Sequence, residues 1–384
     1  MKSIFKRAAA GVLALAMCAG LTGCYSEDKT WAAKMGDTTL PIGGYIYYLT
    51  SAYSEGAGKV DSGAEVLKSD IEGKSAVQWV EDRAVDYLRS YYYVNQKFDE
   101  LGLELTEEDQ SSIQSAATSM WSYAHEPFET VGIAESSFKE AYAVYNMKLS
   151  KLLRAMYGKG GELEIPEDEL HDYYTGEYIY YQYLLVNLTE VDDEGNTVDM
   201  DDDKKAEVKE YLEDQADLIS SGRLKLDTAA ANYGNMSGAE PNLGDPVAVR
   251  ADNLSSAFSE ALDGLDNDKA TVVETTTSYY LVQRLDIEDD FDALIADEDR
   301  TASLLSEMRG TDFLEYVIEQ GKSLDVQIND KALRSVSPSK VAEVMGKDGT
   351  SSASSEESGA ESSASSEESS EESGGESSEE SSEA

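Results

Sequence analysis

Apolar residues recur at three- and four-residue steps along most of the chain, and unbroken apolar runs are confined to a few short stretches. Val80, Ala84, Tyr87, Leu88, Tyr91, Val94, Phe98 and Leu101 place one stripe along a long helix. Ser62 with Glu65 reads as a capping box that opens this helical region after a Gly/Ser-rich break at 54–62, and Gly102 ends it. Thr106 caps the next helix, whose first turn holds Glu107, Glu108 and Asp109, where the helix dipole favours negative charge. After Pro127 and Gly132 the spacing returns in Phe138, Ala141, Tyr142, Tyr145, Leu149, Leu152, Leu153 and Met156, and Gly158 to Gly161 stop it. Upstream, residues 31–40 predict a strand, a Gly-Asp turn and a second strand, and Pro41 opens a helix rich in tyrosine. Pro166 starts a short helix with an acidic first turn.

The pattern changes at Tyr178. Residues 178–188, YIYYQYLLVNL, are too β-branched and aromatic for a surface helix and predict a central strand. An acidic stretch to Asp203 suggests a hairpin turning at Glu194-Gly195-Asn196. Residues 204–220 and 226–233 follow as helices, 234–246 as a turn-rich loop, and 254–262 as a helix with Phe258 facing inward. Residues 270–275 and 279–285 predict two strands joined by Thr276-Thr277-Ser278. Residues 291–318 return to helical spacing with Gly310 a possible break, and 324–328 predict a short strand. The fold class expected is α+β: a mainly helical unit interrupted by a unit with an antiparallel sheet.

Lys2, Lys6 and Arg7 lead into a short apolar run and then Leu21-Thr22-Gly23-Cys24. The run is too short and too rich in Gly and Ala for a permanent membrane span. Leu-Thr-Gly-Cys resembles the bacterial lipoprotein processing box, which implies lipidation of Cys24 and a site on the extracytoplasmic face of the cell membrane. Two acyl chains give stable anchoring, since each buried methylene adds roughly 0.8 kcal/mol. Cys18 falls in the discarded segment, so the mature chain has no disulfide and no thiolate chemistry. The formal charge is -46. Residues 351–384 are nearly all Ser, Glu and Gly with no Lys or Arg, a composition expected to stay disordered. So acidic a chain is a poor ligand for nucleic acid and for an anionic lipid surface, which leaves the acyl anchor as the membrane contact.

The order of units looks like that of extracytoplasmic foldases of the SurA and PrsA type, in which a helical chaperone domain is interrupted by a parvulin-type peptidyl-prolyl isomerase domain. WAAKMGDTTLPIGGYIYYL is similar to the opening strand-turn-helix of that family, and LGLELTEEDQ to its characteristic junction. IPEDELHDYYTGEYIYYQYLLV resembles the connection into the first parvulin strand, EPNLGD its glycine turn, and LSSAFSEALDGL the helix that follows. The resemblance implies a signal peptide at 1–23, a tether at 24–30 and a helical chaperone-like domain at 31–175. It places a parvulin-like domain at 176–286, a helical segment returning to the first domain at 287–345, and a Ser/Glu-rich tail at 346–384. Phe258 matches the residue that contacts the substrate proline, and Leu243, in the glycine turn, is a second candidate substrate contact.

The family's two strand histidines are replaced. Tyr183 stands before Leu184-Leu185-Val186, and Tyr280 stands in Ser278-Tyr279-Tyr280-Leu281-Val282. The polar residue expected before the glycine turn falls near Asn235. Tyr183, Tyr280 and Asn235 are therefore the catalytic candidates that the resemblance supplies, while their own pattern reads as strand core for the tyrosines. Isomerisation needs no nucleophile and no cofactor, only an apolar seat and support for a twisted amide against a barrier of about 18–20 kcal/mol.

Other chemistry finds little support. His125 and His171 stand in separate segments, and the acidic run from Glu190 to Asp201 lacks the first and twelfth carboxylates of a calcium loop, so no metal site is expected. The expected function is a membrane-tethered foldase or chaperone that binds unfolded secreted polypeptides, basic ones favoured by charge, with isomerase activity weak or lost. An active parvulin-type isomerase and a ligand-binding surface lipoprotein are the alternatives.

Overall fold

The computed structural model describes residues 30–191, 195–238 and 240–345. The processing box with Cys24, the acidic residues 192–194 and the Ser/Glu tail from 346 onward lie outside the described residues.

The chain begins with β1 (Trp31–Met35) and β2 (Thr38–Pro41), which pair antiparallel around the Gly36 turn. Helix α1 (Ile42–Gly58) starts directly after Pro41 and extends into the predicted break as far as Gly58, with Gly56 lying against the Ile71 and Trp79 side chains, where its missing Cβ allows close contact. A 3-10 turn at Val66–Lys68 and the small hairpin β3 (Asp70–Ile71) and β4 (Lys74–Ser75) follow. Ser62 and Glu65 therefore open no long helix. The turn at Glu72-Gly73, both at positive φ, intervenes, and Ser75 caps α2 (Ala76–Glu100) by accepting from the Gln78 amide.

Thr106 forms a capping box with Asp109 at the start of α3 (Glu107–Val131), which continues through Pro127 and ends at left-handed Gly132. Helix α4 (Glu135–Phe138) leads through a π-helical stretch, Lys139–Val144, into α5 (Tyr145–Tyr157), and α6 (Glu167–Glu177) enters β5 (Tyr178–Asn187).

The hairpin β6 (Thr189–Val191) and β7 (Thr197–Asp199) precedes α7 (Asp202–Ser220) and α8 (Leu226–Ser237). The predicted loop at 234–246 is partly helix, then β8 (Asn242–Leu243), and a strand absent from the sequence reading, β9 (Val247–Arg250), comes next. Helix α9 (Ser256–Leu262) and strands β10 (Ala270–Glu274) and β11 (Ser278–Arg284) complete a five-stranded antiparallel sheet in the order β10-β11-β5-β8, with β9 also paired to β5.

Helices α10 (Ile287–Ala296) and α11 (Glu298–Lys322) are separated at Asp297, which caps α11, and Gly310 lies inside α11 without breaking it. Helix α11 packs on α2 and α5, and its Gly321 rides so close to the Arg89 backbone that a Cβ would approach to 2.8 Å. Strand β12 (Gln327–Ile328) then pairs with β1, and α12 (Asp330–Leu333) and α13 (Pro338–Met345) close the described chain. One large apolar core joins the first helices to α11 and α13, and the five-stranded sheet carries separate cores on its two faces. The fold is α+β, largely helical with small antiparallel sheets.

Candidate functional site

Strand alternation decides which side chains share a face. On β5, Leu184 and Val186 point to one side and Tyr181 and Tyr183 to the other; on β11, Tyr279 and Leu281 oppose Tyr280 and Val282. The first face is closed by α7 and α8 through Val208, Leu212, Ala216, Ile219, Ala229, Ala230 and Tyr233, all buried.

The second face is covered by the seven-residue α9, of which Leu262 alone is fully buried. Arg284 holds the carboxyl end of α9 by donating from Nη1 to the Leu262 and Leu265 carbonyls, both at 3.0 Å. Toward the other end of the helix, Phe258 stays half-buried beside half-buried Tyr183 and Tyr280. Tyr183 lies opposite Val282 and diagonally from Tyr280, a spacing that long rings can bridge. The Tyr183 and Tyr280 ring centroids are 5.6 Å apart at 62°, Phe258 meets Tyr280 at 5.0 Å and 74°, and Tyr181 meets Phe258 at 5.8 Å. Burial, and after it the neighbouring phenols of Tyr183 and Tyr280, holds the Tyr181 hydroxyl above its ordinary pKa. Among the described residues, neither the Tyr183 nor the Tyr280 hydroxyl has a hydrogen-bond partner within the chain.

Tyr183, Tyr280 and Phe258 thus come together, and the other two candidates do not join them. Leu243 pairs directly with Leu184 and packs in the closed core, so it stands on the opposite face of the sheet. A shift of one residue along a strand reverses the face, so the side that Leu243 takes follows from the register of β8 on β5 and not from the turn itself. Asn235 is exposed on α8, a helix whose buried positions belong to that same closed core.

The residue that sequence reasoning missed is Gly244. Its amide donates to the Tyr183 carbonyl at 2.9 Å, Gln182 Nε2 donates to its carbonyl at 2.9 Å, and a Cβ there would lie 2.8 Å from the Tyr183 ring. Glycine lets the backbone lie across the ring and fixes where that ring stands. The glycine in Asn-Leu-Gly-Asp was the available signal.

Two further clusters border the sheet or the helices. Arg250 on β9 donates to Glu177 at 3.2 Å, Asp252 at 2.8 Å and the Tyr173 hydroxyl at 2.7 Å, and it pairs with Glu307 on α11. Burial pushes the Glu307 carboxyl up, but hydrogen bonds from Tyr178, Tyr173 and Arg250 outweigh it and leave its pKa lowered. This network ties the strand bearing Val247 and Val249 of the open face to the long helix. Between α1, α2 and α11 lies a cavity of about 430 Å³ lined by Glu55, Lys59, Trp79, Arg83, Asp86 and Glu315 among others. Its charges bind one another: Arg83 donates to Glu55 at 2.7 Å and pairs with Glu315, and Lys59 donates to Glu72 at 3.1 Å.

Among the described residues no group of His, Cys, Asp and Glu is placed to hold a metal ion, and no helix is long and apolar enough to cross a membrane.

No protein-family model and no curated protein sequence matches the chain. It is similar to solved structures of PrsA foldase proteins. That from Lactococcus lactis is 13% identical, with 82% of this chain and 99% of that chain covered and a TM-score of 0.35. That from Streptococcus pneumoniae is 12% identical, with 80% and 98% covered and a TM-score of 0.35. For PrsA from Bacillus subtilis the values are 12%, 72%, 96% and 0.32.

Proposed function

We propose that this protein is a foldase or holdase tethered through Cys24 to the outer face of a bacterial cell membrane, where it binds unfolded secreted polypeptides. The observation that carries the reading is the unequal covering of the five-stranded sheet, one face sealed and the other left with half-buried Tyr183, Tyr280 and Phe258. Phenol rings offer apolar area with a polar tip, so they hold a prolyl or aliphatic side chain while their hydroxyls meet the backbone beside it. A chain of formal charge -46 attracts basic clients and repels acidic ones, chiefly through encounter rates.

Isomerase activity on this reading is weak or lost. Two phenols stand where the resemblance puts the imidazoles of the parvulins, and they supply hydrogen bonds without the ring chemistry of histidine. The unpartnered Tyr183 and Tyr280 hydroxyls favour the second reading, an active isomerase, because both are free to bond a substrate amide.

The discriminating experiment measures, with one preparation, suppression of client aggregation and acceleration of cis-trans exchange in a proline peptide. Suppression with little acceleration is the expected result. Acceleration that falls on Tyr183→Phe or Tyr280→Phe favours the second reading, and a protein inert in both assays overturns both.

A further inference from the structure

Helix α3 carries more apolar surface than the fold covers. Its inward stripe, Ile113, Ala117, Phe128 and Val131, is buried, and the helix packs on α4, the π-helical stretch and α13. A second stripe, Ala116, Met120, Tyr123 and Pro127, runs beside the first at steps of four, three and four. Met120 and Tyr123 are 39% and 77% exposed, and they stand one turn apart among the few large apolar side chains left exposed in the described residues. Single exposed apolar residues are ordinary; here Ala116, Met120 and Tyr123 are exposed in line on one helix, with half-buried Pro127 at the end of the row.

The charge of the same helix is one-sided. From Glu107 to Val131 there is no Lys or Arg, while Glu107, Glu108, Asp109, Glu126 and Glu129 are acidic. Asp109 is paired with Lys151, and Glu126 stands between Tyr123 and Pro127 at the carboxyl end of the stripe. We propose that this face of α3 docks an apolar, positively charged segment of an unfolded polypeptide. The stripe supplies the contact area, with an unbranched methionine and an amphipathic tyrosine that accept many side-chain shapes. Glu126, beside the stripe, favours Lys and Arg over acidic side chains. A second copy of the chain is the poorer occupant, since a formal charge of -46 sets two copies against each other.

The inference deepens the client-binding reading and rests on it, but it concerns a helix that is not part of the open sheet face. Its test uses the full chain and a fluorescein-labelled peptide of Leu, Ala and Lys without proline, beside a counterpart with Glu in place of Lys. Fluorescence anisotropy is expected to show the Lys peptide binding at least tenfold more tightly than the Glu peptide, and weakening as salt rises. The double variant Met120→Ser, Tyr123→Ser is expected to lose at least tenfold in affinity while circular dichroism shows it folded, since Tyr123 is mostly exposed and Met120 partly so. Phe258→Ser should leave this binding as it was.

Equal affinity for the two peptides, no binding of the Lys peptide, or full binding by the double variant each overturns the proposal. If that occurs while a proline tetrapeptide still binds and loses affinity on Phe258→Ser, the client reading stands and the α3 site alone fails. Self-association by sedimentation that the double variant abolishes, without peptide binding, also overturns it and assigns the face to a second copy.

Discussion

The two faces of the five-stranded sheet are built from the same strands and treated in opposite ways. On one, Leu184, Val186, Tyr279 and Leu281 are buried beneath two helices of 19 and 12 residues. On the other, Tyr183, Tyr280 and Phe258 remain half-buried under a helix of seven residues held at its carboxyl end by Arg284. Alternate positions of β5 and β11 therefore differ in how far they are covered: one set is sealed throughout, and the other buries Tyr181 and Val282 but leaves Tyr183 and Tyr280 partly at the surface. Leaving rings partly in water forgoes some hydrophobic stabilisation, which in this account is the cost of a binding surface.

The contrast is broken most forcefully from the sealed side. Leu281→Ala removes a fully buried side chain and is expected to lower stability by about 2–5 kcal/mol, read as a fall in the urea midpoint at unchanged slope. The molecules that remain folded should bind a proline peptide as before.

Next comes the tie between β9 and α11. Glu307→Gln leaves Arg250 with weaker partners and is expected to cost about 2 kcal/mol near neutral pH. Because the folded carboxyl has a lowered pKa, its contribution is present above the ordinary value of 4.5 and is lost as pH falls through the folded value. Acid unfolding followed by circular dichroism should therefore lose part of its pH dependence in the variant; an unaltered acid transition would count against the network.

On the open side the effects on stability shrink while those on binding persist. Gly244→Ala forces the Tyr183 ring away from a Cβ that would lie at 2.8 Å, so a loss of about 1 kcal/mol should accompany a several-fold loss of peptide affinity. Tyr280→Phe removes a hydroxyl with no partner in the chain and should change stability by less than about 0.5 kcal/mol.

The smallest expected effect concerns His171, which bridges α6, just before β5, and α10, just after β11, through Nε2 and Glu288 at 2.8 Å. The Glu288 contact, and secondarily Asp172, raises its pKa above 6.5. The protonated form thus contributes stability that is complete below the ordinary value and fades as pH rises through the folded one. His171→Gln should flatten the pH dependence of the melting temperature above about pH 6.5.

Long regular segments were legible in the residues, and short ones were not. The ten-residue β5 and the stripe of α2 are visible because many positions repeat one period. Strand β9 has four residues directly after Asp245-Pro246, too few to separate from a turn, and its pairing with Tyr178 to Tyr181 is a tertiary fact. The Ser62 and Glu65 pattern matched a capping box, yet only the 3-10 turn Val66–Lys68 follows there, because local capping chemistry recurs in turns that a glycine at positive φ then redirects. Of the candidate site, the aromatic trio was readable from strand alternation and the family resemblance. The side of the sheet taken by Leu243 depended on a register that no local pattern fixes.

The most direct test compares the affinity of a neutral, proline-containing tetrapeptide for the full chain and for the variant Tyr280→Ser by isothermal titration. A seat formed by the rings of the open face predicts measurable binding that falls at least tenfold in the variant, at a temperature where circular dichroism shows both proteins folded. Binding of equal strength by both proteins, or none by the unaltered chain, would contradict it.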